Sequence, residues 1–297
     1  MKIGAVFPTC EIGNDPVAIR DFAQAAEGLG YSHLLTYDHV LGAVHEGRQP
    51  PLAGPYTERD AFHEPFVLYA FLAAHTTHLD LATGVLILPQ RQTALVAKQA
   101  TELDLLSGGR LRLGVGSGWN PVEYQALETD WSTRGARLDE QVELLRRLWA
   151  ERVVDFEGRF HRVDRAGLQP LPGRRIPIWF GGMSPPAVRR AARLGDGFLF
   201  GSTNGFMRNL CRQLADELAS CGRDGQAFGI EAIIHWSAGP ERWRQELEAW
   251  RELGASHFSM RAMDTGAALL GEEPAGFTSP KQHIDALATF AREVGVA

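Results

Sequence analysis

The stretch IPIWFGGMSPPAVRRAARLGDGFLFG, Ile176 to Gly201, decides the fold. Ile176 to Phe180 is an apolar β run, Gly181-Gly182 allows a tight turn, and Ser184 before Pro185-Pro186 is a helix start. Gly197 to Phe200 begins a second strand with no residue to spare. This is a strand-helix unit plus the next strand. A helix start leaves free N–H groups and a partial positive charge, a seat for phosphate that the glycines let approach closely. The same residues also make an ordinary tight turn, and Gly-Gly lacks the spacing of a dinucleotide or P-loop fingerprint.

Working outward, the same rhythm fills the chain. Lys2 to Phe7 is a strand, and Asp15-Pro16 opens a helix ending at Gly30. His33 to Tyr37 is a strand, and the Gly- and Pro-rich Asp38 to Phe62 has the length of a lid or binding loop. A helix over 65–77 precedes an almost continuously apolar strand, Leu79 to Leu88. Thr93 caps a helix that ends at Ser107-Gly108-Gly109. Leu111 to Val115 is a strand, Asn120-Pro121 starts a helix, and Arg134 to Glu151 extends it. A hairpin around Gly158 follows. After the opening stretch come a helix (206–221), a strand (228–236), a helix (241–253), a strand (257–260) and a helix (280–294). Eight strand-helix rounds in 297 residues match an α/β fold of the (β/α)8 barrel type, one domain over 1–297, with the active groups in the loops after the strands. A doubly wound sheet is the competing architecture.

Composition narrows the partners. Hydrophobic residues make up 44% and charged residues 22%, enough for a sizeable core, and the net charge is −6 without a basic run, which excludes a phosphate-backbone binder. Nucleic acid and membrane are not expected partners. Cys10, Cys211 and Cys221 lack metal spacing and read as reduced thiols, so a cytoplasmic location is expected. Met1 to Pro8 enters a strand directly, with no signal-peptide pattern.

In a barrel the strand ends gather Phe7-Pro8-Thr9, Asp38-His39, Thr83-Gly84-Val85, Gly116-Ser117-Gly118-Trp119, Phe180-Gly181-Gly182 and Phe200-Gly201. Small residues dominate, leaving room for a flat, extended ligand. His39 can donate or accept a proton and is the candidate acid or base, with Asp38 placed to orient its ring. Gly84 inside an apolar strand signals a bulge or a close ligand approach. Trp119 can wall a planar ligand. Glu123 has capping-box spacing from Asn120, which makes it a helix-start group rather than an acid. His75-x-x-His78 lies at a helix end, away from the strand tops. Arg189, Arg190 and Arg193 form a solvated helix face near the glycine turn. In the long loop, His45, Arg48, Tyr56 and Arg59, followed by His63, are the candidate substrate contacts.

Taken together, YDHV (37–40), PYTERDAFHEPF (55–66), ATGVLILPQR (82–91), LSGGRLRLGVGSGWNPVEYQAL (106–127) and IPIWFGGMSPPAVRRAARLGDGF (176–198) resemble the bacterial luciferase-like flavin or deazaflavin oxidoreductases, in particular their coenzyme F-420-dependent subgroup. The resemblance implies a barrel whose deazaflavin or flavin ring lies on a bulge containing a non-proline cis peptide, here Gly84-Val85. The ring would contact Asp38, Thr83 and Val85, and the phosphate would sit on Gly181, Gly182 and the Phe200-Gly201 strand end. Ser117, Gly118, Trp119, Met183 and Ser184 complete the expected cofactor seat. His39 matches the acid or base of a sugar-phosphate dehydrogenase in the superfamily, whereas Trp119 stands where that enzyme has an acidic residue. The activity implied is hydride transfer between F-420 and a small organic substrate in a homodimer. An FMN-dependent monooxygenase served by a separate flavin reductase, and a flavin-binding barrel without turnover, fit the same residues.

Overall fold

Leu111–Gly116 shows how the sequence builds the centre of the molecule: all six residues are buried, as expected of a parallel strand covered on both faces. The computed structural model describes residues 1–296. Its strands are β1 (Lys2–Val6), β2 (His33–Thr36), β3 (Asp80–Thr83), β4 (Leu86–Ile87), β5 (Leu111–Gly116), β6 (Val154–Glu157), β7 (Arg162–Ala166), β8 (Ile178–Gly181), β9 (Gly197–Phe200), β10 (Gly229–His235) and β11 (His257–Arg261). The helices are α1 (Pro16–Gly28), α2 (Pro65–Ala73), α3 (Thr93–Leu106), α4 (Pro121–Ala126), α5 (Arg134–Ala150), α6 (Pro185–Leu194), α7 (Gly205–Ser220), α8 (Gly239–Glu252) and α9 (Pro280–Val294).

The sheet runs β3-β2-β1-β11-β10-β9-β8-β5-β4, and a β3–β5 pairing closes it. Every ladder in it is parallel. β3 and β4 are two pieces of one barrel strand, so the closed sheet has eight positions and is a (β/α)8 barrel. Helices bury one stripe each: α9 turns His283, Ala286, Leu287, Phe290 and Ala291 inward, the spacing of a single helical face. β6 and β7 form the expected hairpin outside the barrel. Among the described residues no helix is long and apolar enough to cross a membrane.

Three local expectations are corrected. The strand expected over 79–88 breaks at Gly84-Val85, whose peptide is cis. Leu81 pairs with Leu111 and Leu86 with Val115, so this side spends one more residue than β5, which is a bulge. α2 stops at Ala73 rather than 77, because the Glu27 carboxylate accepts the N–H groups of Thr77, His78 and Leu79 at 2.6–3.0 Å and holds them out of the helix. Thr93 is the first residue of α3, not its cap. The cap position belongs to Gln92, and the Thr93 hydroxyl instead meets His161 Nε2 and the Gln141 amide.

The barrel interior also holds charge that the strand pattern concealed. Near the strand starts, Glu231 takes Arg112 at 2.7 Å and His33 at 2.7 Å, with Ser259 donating to the same carboxylate at 2.5 Å. Burial alone would raise the Glu231 carboxyl, but Arg112 and His33 hold it far below the usual carboxylate range. Opposite charges brought together in this way avoid the cost of an isolated buried charge.

Candidate active site

The cleft opens at the strand C-terminal ends, encloses about 450 Å³ and is walled by Tyr37, Asp38, His39, Pro55, Tyr56, Gly84, Val85, Ile87, 116–119, Arg134, 181–184 and Ala187. At its centre the loop leaving β2 presents His39. The His39 Nδ1–H donates to Glu123 Oε2 at 3.0 Å, while Glu123 Oε1 accepts the N–H groups of Val40 at 2.7 Å and Leu41 at 3.1 Å. The helix-start role expected of Glu123 is therefore corrected. Asn120 alone caps α4, accepting from Val122 N–H at 3.0 Å, and Glu123 turns to the histidine. Burial would raise the Glu123 carboxyl, but the His39 bond and charge, then the two backbone donors, pull it below its ordinary value. An ionised Glu123 fixes the proton on Nδ1 and leaves Nε2 for the cleft.

The orienting role expected of Asp38 is corrected as well. Its carboxylate accepts Arg91 Nη2 at 2.7 Å, Arg91 Nε at 3.3 Å and Ile87 N–H at 2.9 Å, tying the end of β2 to the end of β4. Around His39 stand Tyr56 and Phe62, both with ring centroids 4.9 Å away, and Trp119 at 5.5 Å. These rings make the acid-base end of the cleft apolar.

The floor is the Gly84-Val85 bulge. A Cβ on Gly116 or Gly181 would lie 2.5 or 2.7 Å from Val85 methyl carbons, so those two glycines exist to admit Val85. Beyond the floor, Gly182 has φ +155° and the Ser184 side chain makes no cap bond. Pro185 and Pro186 fill the first turn of α6 and carry no N–H, which corrects the expected picture of helix-start donors. The polar groups lining this end of the cleft are the 182–184 loop, the Ser184 hydroxyl and Arg134, which lies over the Trp131 ring at 3.7 Å and donates to the Trp131 carbonyl at 2.9 Å. Arg134 went unread because it lies far from the glycine turn in sequence. Two of the three arginines next to that turn are engaged elsewhere: Arg190 and Arg193 pair with Asp139.

Of the other expected contacts, Ser117, Gly118, Trp119, Met183 and Ser184 line the cleft, but Thr83, Phe200 and Gly201 do not. The Thr83 hydroxyl donates to Gly114 O at 2.7 Å inside the barrel, and Phe200 is fully buried against Phe198 and Trp250. Of the five substrate contacts expected from the long loop and His63, Tyr56 alone lines the cleft. His45 packs edge-on to Trp119 with ring centroids 6.1 Å apart, Arg48 bonds the Val44 carbonyl, Arg59 pairs with Glu58 at 3.2 Å, and His63 bonds Gly13 O at 3.1 Å. Those four are corrected as direct cleft residues.

The family model described as luciferase-like monooxygenase matches residues 1–297. The chain belongs to this luciferase-like family. It is 38% identical over 183 residues to an uncharacterized protein of Mycobacterium tuberculosis, a match spanning 60% of this chain and 63% of that protein's length. It is 31% identical over 250 residues to the F-420-dependent glucose-6-phosphate dehydrogenase of Nocardia farcinica, covering 80% of this chain and 70% of that one. The solved structure of monooxygenase RslO1 from Streptomyces bottropensis superposes with a TM-score of 0.79 at 21% identity, over 99% of this chain and 98% of that chain, a likeness of fold.

Proposed function

We propose that this luciferase-like chain is an oxidoreductase that moves a hydride between coenzyme F-420 and a small organic substrate. The observation that carries the reading is the His39-Glu123 pair, with Nε2 of His39 left to an apolar-walled cleft beside the bulge. The residues fit the cofactor: a flat ring matches the open floor over Gly84-Val85, and an anionic tail matches the 182–184 loop with Arg134. A bound deazaflavin would supply the hydride chemistry. The chain's own part is the proton. When a substrate hydroxyl is oxidised to a carbonyl, its O–H proton passes to His39 Nε2, and the ionised Glu123 stabilises the imidazolium that results. In the reverse direction His39 returns that proton to the forming hydroxyl. Tyr56, Phe62 and Trp119 keep bulk water from this exchange. The F-420-dependent relative at 31% identity supports the cofactor choice.

An FMN-dependent monooxygenase is the second reading, favoured by Trp119, which stands where the dehydrogenase resemblance expects an acid. Glu123 does not replace that acid, because it holds Nδ1 and not the substrate side of His39. Titrating the purified protein with oxidised F-420 and with FMN separates the two. Tighter F-420 binding is expected, and FMN binding without F-420 binding would overturn the proposal. His39→Asn should keep F-420 affinity within about threefold and lower turnover at least about tenfold, the low side of general acid-base assistance.

A further inference from the structure

β11 ends in Arg261, at the barrel face where the cleft opens. The Arg261 side chain is only 5% exposed and is paired with Glu272. Glu272 arrives on a short closed loop. The Asp264 carboxylate accepts the N–H groups of Ala275 at 2.6 Å, Gly276 at 2.7 Å and Phe277 at 3.1 Å, which draws the two ends of the loop together. Glu11 anchors the start by accepting both the N–H and the hydroxyl of Thr265. The neck is thus fixed independently of the tip, as in a compact Ω-loop. Of the two adjacent glutamates at the tip, Glu273 is exposed and Glu272 turns in to Arg261.

This pair stands one side chain behind the cleft. The Tyr37 hydroxyl interacts with Arg261, and the loop's Gly266 packs on Pro55 and Tyr56. Tyr37, Pro55 and Tyr56 all line the cleft, and Tyr56 touches His39. Glu272 does not satisfy the guanidinium fully, for the buried Arg261 Nε has no hydrogen-bond partner among the described residues. Burial also holds the Glu272 carboxyl above its usual range in spite of Arg261. A buried ion pair roughly breaks even against its desolvation, so exchanging one carboxylate for another there costs little.

We propose that Arg261 is the anion-recognising residue of the substrate end of the cleft, that Glu272 is its resident stand-in, and that an aromatic or otherwise flat carboxylic acid binds by displacing the loop tip that carries Glu272. The proposal rests on reading the cleft as a substrate pocket. The space behind Tyr37 already holds one carboxylate against a guanidinium fork, and the walls in front of it are rings, which together specify the chemistry of the guest. Because only the displaced fraction of molecules can bind, the native chain takes such a guest more weakly than its contacts alone would allow.

The test titrates benzoate, and benzamide as its uncharged counterpart, into the purified full chain by calorimetry. Glu272→Ala should raise benzoate affinity at least about tenfold and leave benzamide within about twofold. Glu272→Gln, which keeps the loop's shape, should raise it at least about threefold and carries the test if the alanine variant does not fold. Adding Arg261→Met to Glu272→Ala removes both charges together and should abolish the gain. Equal benzoate affinity in the native and Glu272 variants, an equal gain for benzamide, or a gain that survives Arg261→Met would each overturn the proposal. Oxidised F-420 titrated into the same samples keeps the two readings apart. Normal F-420 binding without a benzoate gain defeats the stand-in alone, and a benzoate gain without F-420 binding defeats the cofactor assignment alone.

Discussion

Replacing Glu123 by Gln changes one atom pair and should disable His39 without removing it. Glu123 Oε1 accepts the Val40 and Leu41 N–H groups at 2.7 and 3.1 Å, so in the variant these donors retain the amide oxygen and the new NH2 faces His39 Nδ1. An amide N–H donates, so Nδ1 must accept and the ring proton moves to Nε2. His39 then shows the substrate an N–H where the native ring shows a lone pair, and the imidazolium loses its counter-charge. Substrate oxidation should fall by about 10² to 10⁴, the usual worth of a general base. Stability should fall by about 1–2 kcal/mol, because two charge-assisted backbone bonds become neutral ones while the carboxylate's burial cost disappears. Since folding lowers the Glu123 pKa from the ordinary 4.5, its contribution is complete above that pH and is lost as pH falls through the lowered value. The stability deficit, read from urea midpoints, should therefore shrink as pH falls below 4.5. Near-native turnover, or a deficit that persists unchanged to pH 3, would refute the assignment of Glu123 as the group that orients and charges His39.

Gly182→Val should weaken F-420 binding by more than about 1 kcal/mol, because φ +155° strains a β-branched residue and a Cβ there would lie 2.8 Å from the Ala187 Cβ. An unchanged dissociation constant would remove the 182–184 loop from the cofactor seat. Asp38→Asn should cost roughly 2–4 kcal/mol, seen as a drop of several degrees in the thermal midpoint, by leaving Arg91 half-paired, with F-420 affinity kept within about threefold. Lost F-420 binding at an unchanged midpoint would make Asp38, which lines the cleft, a cofactor contact first and a structural tie second. Burial, then the Arg261 charge, depresses His235 to about 4, so its contribution is complete above pH 6.5 and is lost as pH falls from there towards 4. The native chain should lose about 2 kcal/mol from this group between pH 7 and 5, and His235→Asn should lack that part of the decline.

The barrel was legible because its signals are local. Alternating apolar strands and one-sided helices recur along the chain, and Gly84 in an otherwise apolar run marks the bulge without any knowledge of its neighbours. The cleft was legible only where one segment supplies both position and chemistry, as in 116–119 and 181–184. It failed wherever a side chain's partner lies far away. Asn120-x-x-Glu123 satisfies a local capping rule so well that nothing in the segment points to His39, 84 positions earlier. Adjacency misled in the same way at Asp38-His39. Successive side chains of an extended segment leave on opposite sides, so the residue beside a catalytic candidate is poorly placed to hold its ring. Asp38 accordingly turns to Arg91 and His39 to Glu123. The charged residues within the strands escaped for a related reason: Arg112 and Glu231 are tolerable in a barrel interior only because each neutralises the other, and no single strand records both halves of that pair. Arg134 and Arg261 follow the same logic at the cleft. Both are arginines at the end of a regular element, a common surface position in sequence terms. Only closing the barrel shows that one lies beside the glycine turn and the other behind Tyr37.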